Sequence, residues 1–202
     1  MEKNNIFYRL LSSPYFYSLS QKVMSATSFR KKIVTNFIKK KNSYVLDIGC
    51  GPAEILENFD NIFYYGFDTN KYYIEHAKQK YNFKSNFFCH KFNAKKIKNK
   101  IKFDYVLLLG LLHHLNDKES DVLLAEIKKV LKKKGMLLTL DNVYTRNQNF
   151  VAKKLIDFDR GNHVRTKKEY LSILKKNFKV VNSNIYHQKF IPYTWFVTRS
   201  LV

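Results

Sequence analysis

The run Val45-Leu46-Asp47-Ile48-Gly49-Cys50-Gly51-Pro52-Ala53-Glu54 constrains this chain more than any other stretch. Tyr44 to Ile48 read as a short buried strand, Gly49 and Gly51 permit a tight turn, and Pro52 fits the first turn of a following helix. Such a turn is expected to offer unpaired backbone N–H groups to a ligand. The acids narrow the choice. A nicotinamide fingerprint requires Gly-x-Gly-x-x-Gly, and Glu54 stands at the third glycine, placing negative charge where a pyrophosphate would sit.

Asp47, two residues before the first glycine, suits a ligand that carries ammonium and sulfonium cations, as S-adenosylmethionine does. A second acid follows about 20 residues on, where the aromatic run Ile62-Phe63-Tyr64-Tyr65-Gly66-Phe67 ends in Asp68. A carboxylate there accepts both hydroxyls of a ribose. Because NAD carries that ribose too, Asp68 alone does not separate the two cofactors; Asp47 and Glu54 do.

With these residues the chain resembles the class I S-adenosylmethionine-dependent methyltransferases. The likeness rests on Val45 to Gly51, Asp68, the strand Phe103-Asp104-Tyr105-Val106-Leu107 and the segment Leu111-Leu112-His113-His114-Leu115, within residues 40 to 145. It implies a Rossmann-like α/β fold: a seven-stranded, mostly parallel sheet with a C-terminal antiparallel hairpin and helices on both faces. It also implies a cofactor site made by Asp47, Gly49, Cys50, Gly51, Asp68, Asn93, Ala94 and Gly110. Two positions depart from the family pattern. Ala53 replaces the third glycine of Asp-x-Gly-x-Gly-x-Gly, and Asn93 replaces an acid that binds the adenine amino group, which the Asn93 carbonyl oxygen can still accept.

A chain of 202 residues is long enough for one well-buried α/β domain and short for two. The expected division is a helical cover over 1–40, a cofactor-binding core over 41–145, and substrate-side helices with the terminal hairpin over 146–202. Lys and Arg number 37 against 16 Asp and Glu, giving a formal charge of +21 that invites nucleic acid. The lysines are spread along helix faces and ends, however, so a solvated surface explains them better and nucleic acid is not favoured. Lys132 to Lys134 are expected to close a helix, complementing its dipole. No apolar run is long enough to span a bilayer and no signal-peptide core follows Met1, so a cytoplasmic enzyme is expected. Cys50 and Cys89 fall on strands separated by another strand, too far apart for a disulfide, and no paired metal-ligand cysteines occur.

Strands and helices alternate after the glycine turn. Expected are a helix over 71–80, strands over 86–90 and 103–109, and a helix capped by Asn116-Asp117-Lys118-Glu119 that buries Val122, Leu123, Ile127, Val130 and Leu131. Gly135 ends that helix and Met136 to Leu140 form the fifth strand. A helix then runs from Phe150 to Phe158, Thr166 to Glu169 cap another, and 178–185 with 192–198 make the hairpin.

Methyl transfer is an in-line displacement that requires alignment more than a particular catalytic group, though an alcohol or amine acceptor benefits from a base. His113 and His114 follow the fourth strand, at the sheet edge where ligands bind, and are the candidate catalytic residues; packing beneath the cofactor is the alternative. Asp141, Asn142 and Tyr144 follow the fifth strand and are candidates to orient a substrate hydroxyl, with Asp141 alternatively a turn acid. Arg160, His163 and Arg165, in a stretch resembling Arg-Gly-x-x-Val-Arg-Thr of some small bacterial methyltransferases, are suited to hold a carboxylate or phosphate, or to form an interhelix turn. Ser13-Pro14-Tyr15-Phe16-Tyr17 offers an aromatic ring to the site or to core packing. The apolar segment from Phe190 to Phe196 fits either peripheral membrane contact or an edge hairpin. No Asn-Pro-Pro-Tyr-type motif follows the fourth strand, where Leu109-Gly110-Leu111-Leu112 stands. The expected reaction is therefore methylation of a small molecule or cell-surface biosynthetic intermediate at oxygen or carbon. The alternatives are an RNA or protein acceptor, or a catalytically silent cofactor-binding scaffold.

Overall fold

The computed structural model describes residues 26–81, 85–97, 101–157, 161–188 and 193–202. The expectations for residues 1–25, Ser13 to Tyr17 among them, and for Phe158, Arg160 and Phe190 to Pro192 lie outside these residues.

Strands that are apolar at successive positions have no face suited to water and must be covered on both sides. Strands β1 (Ser43–Ile48), β2 (Ile62–Asp68), β3 (Ser85–Cys89), β4 (Phe103–Leu109) and β5 (Leu131–Tyr144) run parallel. Alternation along them feeds two cores. Val45, Tyr64, Tyr105 and Leu107 pack on one face with Ile33, Val34 and Phe37 of helix α1 (Ala26–Phe37) and with Ile74 and Ala77 of α2 (Lys71–Tyr81). Leu46, Phe67, Val106 and Leu108 pack on the other. There they meet Leu124, Ile127 and Val130 of α3 (Asp117–Val130), and Ile173 and Leu174 of α5 (Lys167–Lys175). Each buried Leu or Ile contributes about 1.5–3 kcal/mol. Helix α4 (Phe150–Asp157) lies between β5 and β6 (Arg165–Thr166).

The sheet order is β3-β2-β1-β4-β5-β8-β7, with β8 (Thr194–Leu201) antiparallel to both β5 and β7 (Lys179–His187). The mostly parallel sheet with a terminal antiparallel pair is as expected, but the two-residue β6 pairs with the end of β5 and makes an eighth strand. Too short to carry a periodicity, it left no sequence signal.

Local chemistry set several boundaries correctly. Asn116 with Glu119 and Thr166 with Glu169 each form a complete capping box. Other boundaries moved. Helix α3 stops at Val130, so Lys132 to Lys134 lie in β5 instead of closing the helix. Leu131 pairs with Phe103 and Met136 with Tyr105, so the extra residues between them bulge from the ladder. The strand runs on to Tyr144, placing Asp141, Asn142 and Tyr144 within β5 and not beyond it. Val122, expected inside, is 59% exposed.

The glycine turn also differs. Gly49, Gly51 and Ala53 all have positive φ, at 75°, 55° and 57°. A left-handed residue at Ala53 interrupts right-handed winding, so the helix expected from Pro52 is a short 3-10 helix, Glu54–Asn58.

Gly66 in β2 pairs with Asp47, and a Cβ added there would stand 2.9 Å from Cys50 Sγ, 2.9 Å from Tyr64 Cε1 and 3.0 Å from Phe87 Cδ1. Overpacking of this kind costs about 1–3 kcal/mol. The substitution Gly66→Ala is therefore expected to lower the denaturant midpoint by that amount at unchanged m-value, measured by urea unfolding.

Candidate active site

Order reversal in the sheet places the ends of β1 and β4 side by side, and this is where open α/β sheets bind ligands. Asp47 sits at that point, 2% exposed. Its Oδ2 accepts the Tyr64 hydroxyl at 2.7 Å, while Oδ1 has no hydrogen-bond partner among the described residues. Burial pushes the Asp47 carboxyl up to about 7, with the Tyr64 hydroxyl opposing, Asp68 adding and Arg30 opposing. A small pocket of about 30 Å³ beside it is lined by Thr27, Arg30, Gly49, Cys50 and Glu54 among others.

The backbone donors of the turn are not left for a ligand, contrary to the sequence expectation. Gly49 N and Cys50 N both donate to Phe67 O, at 2.7 and 3.1 Å, and Gly51 N donates to Asp68 Oδ2 at 2.9 Å. Asp68 Oδ1 accepts from Asn70 N at 2.8 Å. Donors aimed at β2 do not cradle a phosphate, which agrees with a ligand that has none. Burial raises the Asp68 carboxyl, against the backbone N–H groups of Asn70 and Gly51. The Cys50 thiol is raised well above its ordinary value, first by burial and then by Asp47, and is not a thiolate nucleophile. Both cysteines are free.

A cleft of about 740 Å³ opens from the turn, lined by Gly49, Gly51, Asp68, Phe92, Gly110, Leu111 and residues of α3. That volume is typical of a small-molecule site. Gly110, at φ 82°, ends β4, and a Cβ there would stand 2.8 Å from Arg30 Nη2, so the glycine lets the arginine approach. Arg30 also lies over the Trp195 ring, 5.7 Å from its centroid. Sequence reasoning missed this residue. Its signal was a cation on the same helix face as Ile33, Val34 and Phe37. Asn93 does not line the cleft: it is exposed, and its Oδ1 accepts Lys95 N at 2.9 Å as a cap of its own turn. Ala94 N donates to Glu126 Oε2 at 3.0 Å.

The two histidines separate. His114 is exposed and lines the cleft. His113 is 3% exposed, and its Nδ1 lies 2.8 Å from Asp141 Oδ1, which also accepts the His113 backbone N–H at 3.2 Å. Both members of this pair are enclosed, so neither meets a substrate as the sequence suggested. Their relation to the cleft is indirect: the His113 ring packs against that of His114, tilted by 40° with centroids 4.2 Å apart.

Arg165 is likewise internal, 7% exposed. Its Nε and Nη2 donate to Asp117 Oδ1, Nη1 to Leu112 O and His163 O, and Nη2 also to Leu115 O. This guanidinium is committed to holding the segment after β4 and is not presented to an acceptor's carboxylate or phosphate. His163 is exposed and its backbone N–H donates to His113 O at 2.9 Å. Gly161 fits there because an added Cβ would stand 2.1 Å from His113 Cδ2. Tyr144 donates its hydroxyl to Asp157 Oδ1 at 2.8 Å, out on the surface. Among the described residues, no three His, Cys, Asp or Glu side chains gather as metal ligands, and no helix is long and apolar enough to cross a membrane.

The residues fit S-adenosylmethionine: a buried carboxylate with an unpartnered oxygen suits its ammonium, and a second carboxylate on a wide cleft suits its ribose. Residues 45–135 match the model of the methyltransferase domain family. No curated protein sequence matches the chain. Among solved structures, an S-adenosylmethionine-dependent methyltransferase from Methanosarcina mazei aligns with a TM-score of 0.65 at 19% identity, over 84% of this chain and 96% of that one. The N-methyltransferase NodS of Bradyrhizobium japonicum aligns at 0.64 and 13% identity, over 90% and 95%. The magnesium protoporphyrin IX methyltransferase of Synechocystis with its bound cofactor aligns at 0.60 and 14% identity, over 88% and 78%. At such identities the structural likenesses speak for the fold, and the matched domain speaks for the chemistry. Residues 45–135 are thus similar to the methyltransferase domain family, and the sheet built around them has the fold of solved S-adenosylmethionine-dependent methyltransferases.

Proposed function

We propose that this enzyme, working as one domain, methylates a small molecule or an intermediate of cell-surface biosynthesis, at oxygen or carbon. The observation that carries the reading is His114, an exposed imidazole on the same cleft as Asp68. The cofactor supplies an electrophilic methyl group on a sulfonium. Asp47 holds the ammonium, Arg30 faces the carboxylate of the same amino-acid end, and Asp68 accepts the ribose hydroxyls. Gly49, Gly51 and Gly110 let the backbone close on the ligand, and Leu111 covers it. His114 takes the proton of an acceptor hydroxyl or acidic carbon as the methyl transfers. The Arg165 clamp and the His113–Asp141 pair fix the segment that carries His114. A solved neighbour is named for magnesium protoporphyrin IX, an acceptor that is not a polymer. The +21 charge favours the rival reading, a methyltransferase of RNA.

Incubating the protein with methyl-labelled cofactor and fractionated cell extract separates these readings. Label in the low-mass or lipid-linked fraction is expected; label confined to RNA or protein would overturn the proposal. With an acceptor in hand, His114→Asn is expected to lower kcat by about 100-fold and remove the acid limb of its pH profile.

Two binding predictions follow from the acids. Replacing Asp68 by Ala removes charge-assisted bonds of about 1.5–3 kcal/mol each, so calorimetry should find affinity for S-adenosylhomocysteine reduced by about 100-fold or more, with folding checked by a thermal melt. Asp47 binds a proton below pH about 7 in the free protein. An ammonium opposite it favours the ionised form, so complex formation releases that proton. Affinity is therefore expected to rise with pH, by up to about tenfold per unit below that value, and to level off above it. Asp47→Asn should flatten the profile.

A further inference from the structure

Large apolar side chains exposed singly are ordinary on a protein surface, whereas adjacent ones mark a contact. Among the described residues Phe150 is the most exposed large apolar side chain, at 71%, and its neighbour Val151 is 52% exposed. Both lie in the first turn of helix α4. Asn149 Oδ1 accepts the Val151 backbone N–H at 2.8 Å and the Ala152 N–H at 3.4 Å, closing the start of the helix. Ala152 and Ile156, four residues apart, are buried and fix the face that meets the protein, so Phe150 and Val151 are left to solvent.

Cations flank the pair. Lys154 Nζ stands 5.2 Å from the centroid of the Phe150 ring, Lys153 is exposed on the same helix, and exposed Arg146 precedes it. The one acid of the helix, Asp157, is met by the Tyr144 hydroxyl at 2.8 Å and by Lys153 at 3.4 Å. An apolar tip flanked by cations fits a bilayer of anionic lipids: the apolar side chains enter the acyl boundary while lysine stems carry their ammonium groups to the phosphates. A second copy of this chain fits poorly, because each carries a formal charge of +21. Single-stranded nucleic acid is matched in charge, yet the aliphatic Val151 gives a base no ring to stack on. The segment from Phe190 to Phe196, whose sequence also fits membrane contact, supplies no such surface in its described part, where Tyr193, Trp195 and Phe196 are buried.

We propose that the first turn of α4, Phe150 and Val151 with Arg146, Lys153 and Lys154, docks the protein on anionic lipid bilayers. The helix follows the C-terminal end of β5, and the large cleft opens at the same end of the neighbouring strands β1 and β4. Docking there brings the cleft's end of the sheet to the membrane surface and so selects lipid-anchored intermediates within the acceptor class. That selection rests on the function proposed above; the docking itself does not.

Co-sedimentation of the full chain with vesicles tests the proposal, using phosphatidylcholine alone and phosphatidylcholine mixed with phosphatidylglycerol. Wild type is expected to bind the mixed vesicles at least about tenfold more tightly than the neutral ones. Phe150→Ser combined with Val151→Ser should weaken that binding by about tenfold or more, and Lys153→Gln combined with Lys154→Gln by about fivefold or more. Val181→Ser, at an exposed valine of β7, should leave it unchanged, and thermal melts check the folding of each variant. Binding to mixed vesicles that the serine pair does not weaken would be diffuse attraction to a basic surface and overturns the proposal, as does a wild type that binds neither vesicle. A serine pair that instead abolishes a dimer in sedimentation velocity assigns the turn to a second copy, and one that abolishes binding of polyuridylate assigns it to nucleic acid; either result overturns the proposal as well. Vesicle binding is read without methyl transfer, so its failure leaves the cofactor reading intact, and failure of S-adenosylhomocysteine to bind leaves the docking result standing.

Discussion

A carboxylate buried at the end of a central strand is costly, and the arrangement around Asp47 follows from making that cost tolerable. One oxygen is met by the Tyr64 hydroxyl from the neighbouring strand. The other has no partner among the described residues, and a buried carboxylate in that state shifts toward its neutral form. In the proposed complex a cationic ligand would restore the charge. Gly49 and Gly51 beside it, and Gly110 just past the end of β4, keep side chains from filling the space, and Gly66 opposite lets Cys50, Tyr64 and Phe87 pack closely. The glycines and the acid are parts of one device.

The rim opposite is held by a second buried polar network. Arg165 spends its donors on three backbone carbonyls and Asp117, and His113 is tied to Asp141. Satisfied networks of this kind rigidify the segments they join. Here they join the segment after β4 to β5 and to the Gly161–Arg165 stretch, leaving His114 facing the cleft. The Asp47 side of the cleft is thus shaped by glycines, and the opposite rim by an arginine clamp.

What the sequence revealed was what short-range chemistry determines. The apolar strands, the glycine turn with its two acids, and both capping boxes depend on residues within a few positions of one another. The places where it misled depend on partners far along the chain. His113 and Asp141 are 28 residues apart and Arg165 is 53 from Leu112, and no local pattern tells that these polar groups satisfy each other inside the protein. Lys132 to Lys134 read as a helix end because lysines suit one, whereas the ladder to Phe103 takes the chain into β5 directly after Val130. Pro52 signalled a helix start, but the left-handed Ala53 delayed it and shortened it. Arg30 was illegible beside Asp47 because it belongs to an ordinary-looking amphipathic helix, and only the fold brings that helix to the small pocket there.

The central claim is that Asp47 and Asp68 grip opposite ends of one ligand. A crystal structure of the protein with S-adenosylhomocysteine tests it most directly. The account predicts the ligand's ammonium within hydrogen-bond distance of Asp47 Oδ1 or of a water on it, and the ribose hydroxyls on Asp68. A ligand bound with its amino-acid end away from Asp47, or with its ribose off Asp68, would contradict it.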